Sequence, residues 1–136
     1  MVERILVVDD SEIITDTLSS MFSVLTKARV DIAATGVEAI NRFSEALECA
    51  NAYDLVTLDY HMPVLGGADT IEQLRKLENK MAPETRAHIV FVTSDDDPAA
   101  KVPMNSSAAD GYILKPVNKQ DLLDLLDSVN RKIKHI

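Results

Sequence analysis

Five polar residues stand where short apolar runs end. Asp9 and Asp10 follow Ile5–Val8, Asp59 follows Leu55–Leu58, Thr93 follows Ile89–Val92, and Lys115 follows Gly111–Leu114. Three carboxylates drawn together repel one another and need a cation. Oxygen-only ligands favour a hard ion, and an incomplete shell with room for water and phosphate favours Mg²⁺. A lysine and a hydroxyl beside such an ion form a pocket for a small dianion such as a phosphoryl group. An aspartate in that pocket can itself be the nucleophile and become an aspartyl phosphate. The only glycines are Gly36, Gly66, Gly67 and Gly111, so no glycine-rich phosphate loop is present and a tightly held nucleotide is not expected.

These groups are far apart in sequence, so the fold must gather them. Ile5–Val8, Leu55–Leu58 and Ile89–Val92 are continuous apolar runs, the pattern of strands covered on both faces. Val30–Ala33 is a weaker short strand and Gly111–Leu114 a fifth. Between them lie helical spacings: Ile14, Leu18, Met21, Phe22 and Leu25; Ile40, Phe43 and Leu47; Ile71, Leu74 and Leu77; and Leu122, Leu125, Leu126, Val129 and Ile133. Ser11, Thr35 and Asn118 stand where helix caps belong, and Thr35 with Glu38 has the capping-box spacing. Asp95–Ser107 is polar and broken by Pro98 and Pro103, which predicts a short or irregular fourth helix there. Five strand–helix units in succession imply a doubly wound parallel sheet, an α/β fold with helices on both faces. In such a sheet ligands bind at the carboxyl ends of the strands, where all five polar residues lie.

Composition narrows the function. The 136 residues hold 22 Asp+Glu against 14 Lys+Arg, a formal charge of −8, which argues against direct nucleic-acid binding and against docking on anionic lipid. With 46% hydrophobic residues the chain can build a core, and its length fits a single domain over residues 1–136. No apolar stretch approaches the roughly 20 residues of a membrane span. The one cysteine, Cys49, cannot form an internal disulfide, and a reducing, cytoplasmic location is expected. His88 reads as a surface residue, and Cys49 as a filler at a helix end.

Taken together, the acid pair Asp9-Asp10, the block from Asp59 through His61 and Met62 to Pro63 with Gly67 after it, Thr93-Ser94, and Tyr112 to Lys115-Pro116 resemble the receiver domain of two-component response regulators. The likeness covers nearly the whole chain. It implies a flavodoxin-like (βα)5 fold with strand order 2-1-3-4-5. It also implies Asp59 as phosphoacceptor, Asp10 as a direct Mg²⁺ ligand, Asp9 as a ligand through water, and the backbone carbonyl of His61 as a further ligand. Lys115 would pair with the phosphoryl oxygens, Thr93 would hydrogen-bond one of them, and Tyr112 would move with Thr93. The Lys115–Pro116 bond is expected to be cis, as is common for prolyl bonds in this family. The imidazole of His61 and Asp95 occupy positions at which family members tune the life of the phosphoryl group. The implied partner is a histidine kinase or histidine phosphotransfer protein, and the downstream target or output domain is left open.

Two other readings compete. A Mg²⁺-dependent phosphatase of haloacid-dehalogenase type also forms an aspartyl phosphate, but it normally carries a second acid two residues on, where this chain has His61, and a cap too large for this length. A non-phosphorylated adaptor with the receiver fold would not need Asp9, Asp10, Asp59, Thr93 and Lys115 all intact. The receiver reading makes the protein a signalling switch rather than an enzyme: it would catalyse only its own phosphotransfer and a slow autodephosphorylation. Whether it stands free or belongs to a larger regulator stays open.

Overall fold

A computed structural model describes residues 1–94 and 108–134. In chain order the elements are β1 (Arg4–Val8), α1 (Glu12–Leu25), β2 (Arg29–Ala33), α2 (Gly36–Glu48), β3 (Leu55–Asp59), α3 (Gly67–Met81), β4 (His88–Ser94), β5 (Gly111–Lys115) and α4 (Lys119–Lys134). The expected short or irregular fourth helix, with Asp95, Pro98 and Pro103, falls on residues 95–107, outside the described residues.

The strands form one sheet in the order β2-β1-β3-β4-β5, and every pairing is parallel. This is the flavodoxin-like arrangement the resemblance implied. Side chains on a strand alternate between faces, so each strand feeds two cores. Leu6, Val8, Val56, Leu58, Ile89 and Phe91 pack with Phe43 of α2 and Ile71 and Leu74 of α3. Ile5, Val7, Leu55 and Val90 pack on the other face with Leu18 and Phe22 of α1 and Leu122, Leu125, Leu126 and Val129 of α4. The continuous apolar runs are thus explained, since β1, β3 and β4 are central and covered twice. The paler β2 and β5 are the sheet's two edges.

The helix starts use the local chemistry available. Thr35 Oγ1 accepts the Glu38 N–H at 3.0 Å, and Glu38 Oε2 accepts the Ala34 N–H at 3.1 Å. Asn118 Oδ1 accepts the Asp121 N–H at 2.9 Å while Asp121 Oδ2 accepts the Asn118 N–H at 3.0 Å, a reciprocal box at the start of α4. Ser11 occupies the cap position of α1 without a side-chain cap bond. One expectation fails: His88 is not on the surface. Strand β4 starts one residue earlier than the apolar run suggests, so His88 lies inside a central strand and is buried at 8% exposure. Cys49 is exposed at the C-terminus of α2. No helix among the described residues is long and apolar enough to cross a membrane.

Candidate functional site

The order of the strands reverses between β1 and β3, and the crevice left outside their carboxyl ends is where the acids meet. Asp9 continues the backbone ladder for one residue, its N–H donating to Ala33 O at 3.1 Å. The chain then turns into α1, with Asp9 Oδ1 accepting the Ser11 N–H at 2.9 Å. That bond orients the Asp9 carboxylate. Asp9 and Asp59 are buried at 2% and 5% exposure, whereas Asp10 is exposed. Carboxylate oxygens of Asp9, Asp10 and Asp59 all lie within 4.8 Å of one another.

Lys115 reaches this cluster from the end of β5. Its Nζ lies 3.1 Å from Asp9 Oδ2 and 3.4 Å from Asp59 Oδ1. The Asp9 Oδ2 atom makes no well-formed hydrogen bond, so the ammonium charge is its only compensation among the described residues. One lysine does not balance the acids. Burial, and then the negative charge of Asp9, push the Asp59 carboxyl up to about 6 against the opposing pull of Lys115. An all-oxygen cluster with excess negative charge and one exposed member is suited to a hard divalent cation, so the residues present fit such an ion.

The remaining sequence candidates divide by position. Thr93 is buried at 3% exposure at the end of β4, and its Oγ1 has no hydrogen-bond partner among the described residues. Tyr112, paired in register with Phe91, is 42% exposed on β5. Thr93 pairs with Leu114, so Thr93 and Tyr112 share a sheet face, the one carrying α2 and α3. Asp9 and Asp59 fall on the other face. His61 is exposed, with its ring edge-on to Tyr60 at 5.1 Å between centroids. Tyr60 is in turn edge-on to the buried Phe91 at 5.3 Å. The Lys115–Pro116 peptide bond is cis. The chain after Asp59 must pass close to its own backbone: a Cβ at Gly67 would lie 2.6 Å from Asp59 O and 2.8 Å from Tyr60 Cα, so only glycine fits there.

Two features escaped the reading of the sequence. Thr57, two residues before Asp59, is buried at 1% exposure, and its hydroxyl has no partner among the described residues. Arg75 and Glu78 of α3 are also buried. Their signal was present, because they share a helical face with Ile71 and Leu74, but a charged pair on that face contradicts the usual apolar stripe.

Comparison with known proteins agrees with this geometry. The family model for the response regulator receiver domain matches residues 5–127. The chain is 29% identical over 129 residues to the chemotaxis protein CheY of Halobacterium salinarum, covering 95% of this chain and 98% of that protein. It is 30% identical over 129 residues to the response regulator MprA of a Mycobacterium species, of which it spans only 51%. A CheY-like receiver domain protein from Methanospirillum hungatei superposes with a TM-score of 0.81 over 100% of both chains at 26% identity. A receiver-like sheet order, acids meeting at its carboxyl edge and a family match over most of the length lead to one conclusion: the chain belongs to the response regulator receiver domain family.

Proposed function

We propose that residues 1–136 form one receiver unit that works as a phosphorylation-activated switch in a two-component phosphorelay, in the cytoplasm. Asp59 is the phosphoacceptor, and the donor is a phosphohistidine on a histidine kinase or histidine phosphotransfer protein. The observation that carries this reading is the meeting of Asp9, Asp10 and Asp59 with the ammonium of Lys115 set against two of them.

The chemistry follows from those positions. Asp59 attacks as a carboxylate, so its proton must be off; Lys115 favours the ionised form while burial and Asp9 oppose it. One Asp59 oxygen forms a bond to phosphorus as the P–N bond to the donor imidazole breaks in line, and the bonding pair leaves with the nitrogen. Lys115 moves little to meet the new phosphoryl oxygens, because it already lies 3.4 Å from Asp59 Oδ1. Asp10, Asp59 and the carbonyl of His61, with Asp9 through water, would hold Mg²⁺, which when bound neutralises charge on the transferring group. The buried Thr93 hydroxyl lacks a partner among the described residues and gains one by donating to a phosphoryl oxygen. Its inward shift vacates space on the face it shares with Tyr112, whose half-exposed ring then turns in. Phosphorylation thereby favours one of two populated states of a partner-binding face. The same site lets water slowly hydrolyse the acyl phosphate, so turnover is limited to the protein's own phosphoryl group.

Incubation with acetyl phosphate and Mg²⁺ tests the assignment. Intact protein should gain one phosphoryl group on the peptide containing Asp59, seen by mass spectrometry, and Asp59→Asn should gain none while remaining folded. Undiminished labelling in that variant would remove Asp59 from the role.

A further inference from the structure

At the pole of the sheet opposite the acids, α3 is tied to the start of β4 and the approach to β5 through one guanidinium. Arg75 is buried at 9% exposure. Its Nε donates to Ala108 O at 2.8 Å, its Nη1 to Ala87 O at 2.9 Å and to Glu78 Oε1 at 2.7 Å, and its Nη2 to Asp110 Oδ2 at 3.0 Å. Glu78 completes the link by accepting the Ala87 N–H at 2.6 Å. Asp110 accepts the Ile89 N–H at 2.9 Å and its own N–H donates to Ile89 O at 2.8 Å, which sets the first rung between β4 and β5. Its other oxygen lies 3.2 Å from Arg86 and 3.3 Å from Lys132.

We propose that Arg75 is a positioning residue for the site: by gripping Ala108 and Asp110 it fixes the register of β5, and so holds the Lys115 ammonium against Asp9 and Asp59. Among the described residues β5 is an edge strand with β4 as its only neighbour in the sheet. Its register is therefore set by one ladder and by whatever holds its entry. A slip of one residue would turn Lys115 to the opposite face, away from the acids. Helix α3 suits the task because it begins at Gly67, packed against the Asp59 backbone, and ends beside the entry of β4. One rigid element thus refers both Asp59 and Lys115 to a common frame. The link from Lys115 to catalysis rests on the function proposed above; the link from Arg75 to β5 does not.

The test compares the intact protein with Arg75→Lys and with Arg75→Met/Glu78→Gln. The second change avoids leaving a buried carboxylate unpaired, and Asp110 keeps Arg86 and Lys132. Amide exchange and the Lys115 ammonium signal are read by NMR with no phosphodonor present. In the double variant, the β5 amides that donate to β4 should exchange at least about tenfold faster relative to the bonded amides of β1 and β3. The Lys115 signal should broaden away, with Arg75→Lys intermediate. Equal loss of protection in all strands, or an unchanged Lys115 signal, overturns the proposal. Beryllofluoride with Mg²⁺ is then added to the intact protein alone: failure to bind there would sink the phosphorylation reading, while the exchange and ammonium results still decide the role of Arg75.

Discussion

Replacing Asp59 by asparagine should make the metal-free protein more stable, although it destroys the proposed phosphoacceptor. Burial, and then Asp9, push the Asp59 carboxyl up to about 6 in the folded chain, against an ordinary value of 3.8. The folded state therefore holds the Asp59 proton more tightly than the unfolded state does. That contribution is greatest below pH 3.8 and is lost as pH rises through about 6. By pH 7.5 the ionised, buried carboxylate costs on the order of 3 kcal/mol, from a difference of about two pKa units at about 1.4 kcal/mol each. The opposing pull of Lys115 is already contained in that value. Asparagine cannot ionise, so Asp59→Asn should show a higher urea midpoint at pH 7.5 in chelator, with an unchanged slope. The gap should shrink towards pH 4.5, and Mg²⁺ should narrow it at pH 7.5 by stabilising the intact protein alone. A variant no more stable than the parent at pH 7.5 in chelator would refute the claim that burial and Asp9 strain this carboxylate.

Further outcomes concern the rest of the molecule. Thr57 lies between Val7 and Val90 in the sheet with its hydroxyl unpartnered, so Thr57→Val should raise stability by about 1–2 kcal/mol, read as a shift in urea midpoint; a loss of stability would show that the hydroxyl has a partner. His88 is held below its usual value of 6.5 by burial and then by Lys132. The neutral imidazole is thus the form the fold prefers, and its contribution is complete above pH 6.5 and fades as pH falls towards the folded value. The His88 ring protons should titrate below 6.5 by NMR, and a midpoint at or above that value would contradict the burial argument.

The central strands were legible because a strand covered on both faces has no choice but to be apolar throughout, as Ile5–Val8 and Leu55–Leu58 are. The acids and Lys115 were legible because they interrupt those runs at the same end. Strand order came only through resemblance, since apolar patterning carries no information about which strand lies beside which. His88 was misjudged because a polar residue at the edge of an apolar run reads as its boundary. Arg75 and Glu78 were missed for a related reason: they are buried as a pair, each satisfying the other, and no count of hydrophobic spacing detects mutual compensation. The hydroxyls of Thr57 and Thr93, without partners among the described residues, are three-dimensional facts that residue type alone does not carry.

The two cores have no residue in common: the sheet is a wall between them. Damage on one side should stay there, so that a cavity cut at Phe22 and another at Phe43 would sum almost independently. At the rim, where the strands run out, residues facing opposite sides of the wall stand on adjacent strands. The acids occupy that rim, with Asp59 opposite Val92 and facing one side, while Thr93, the next residue along β4, faces the other. A chain built this way can absorb considerable drift in either interior while keeping, at its margin, the acids and the lysine in one place.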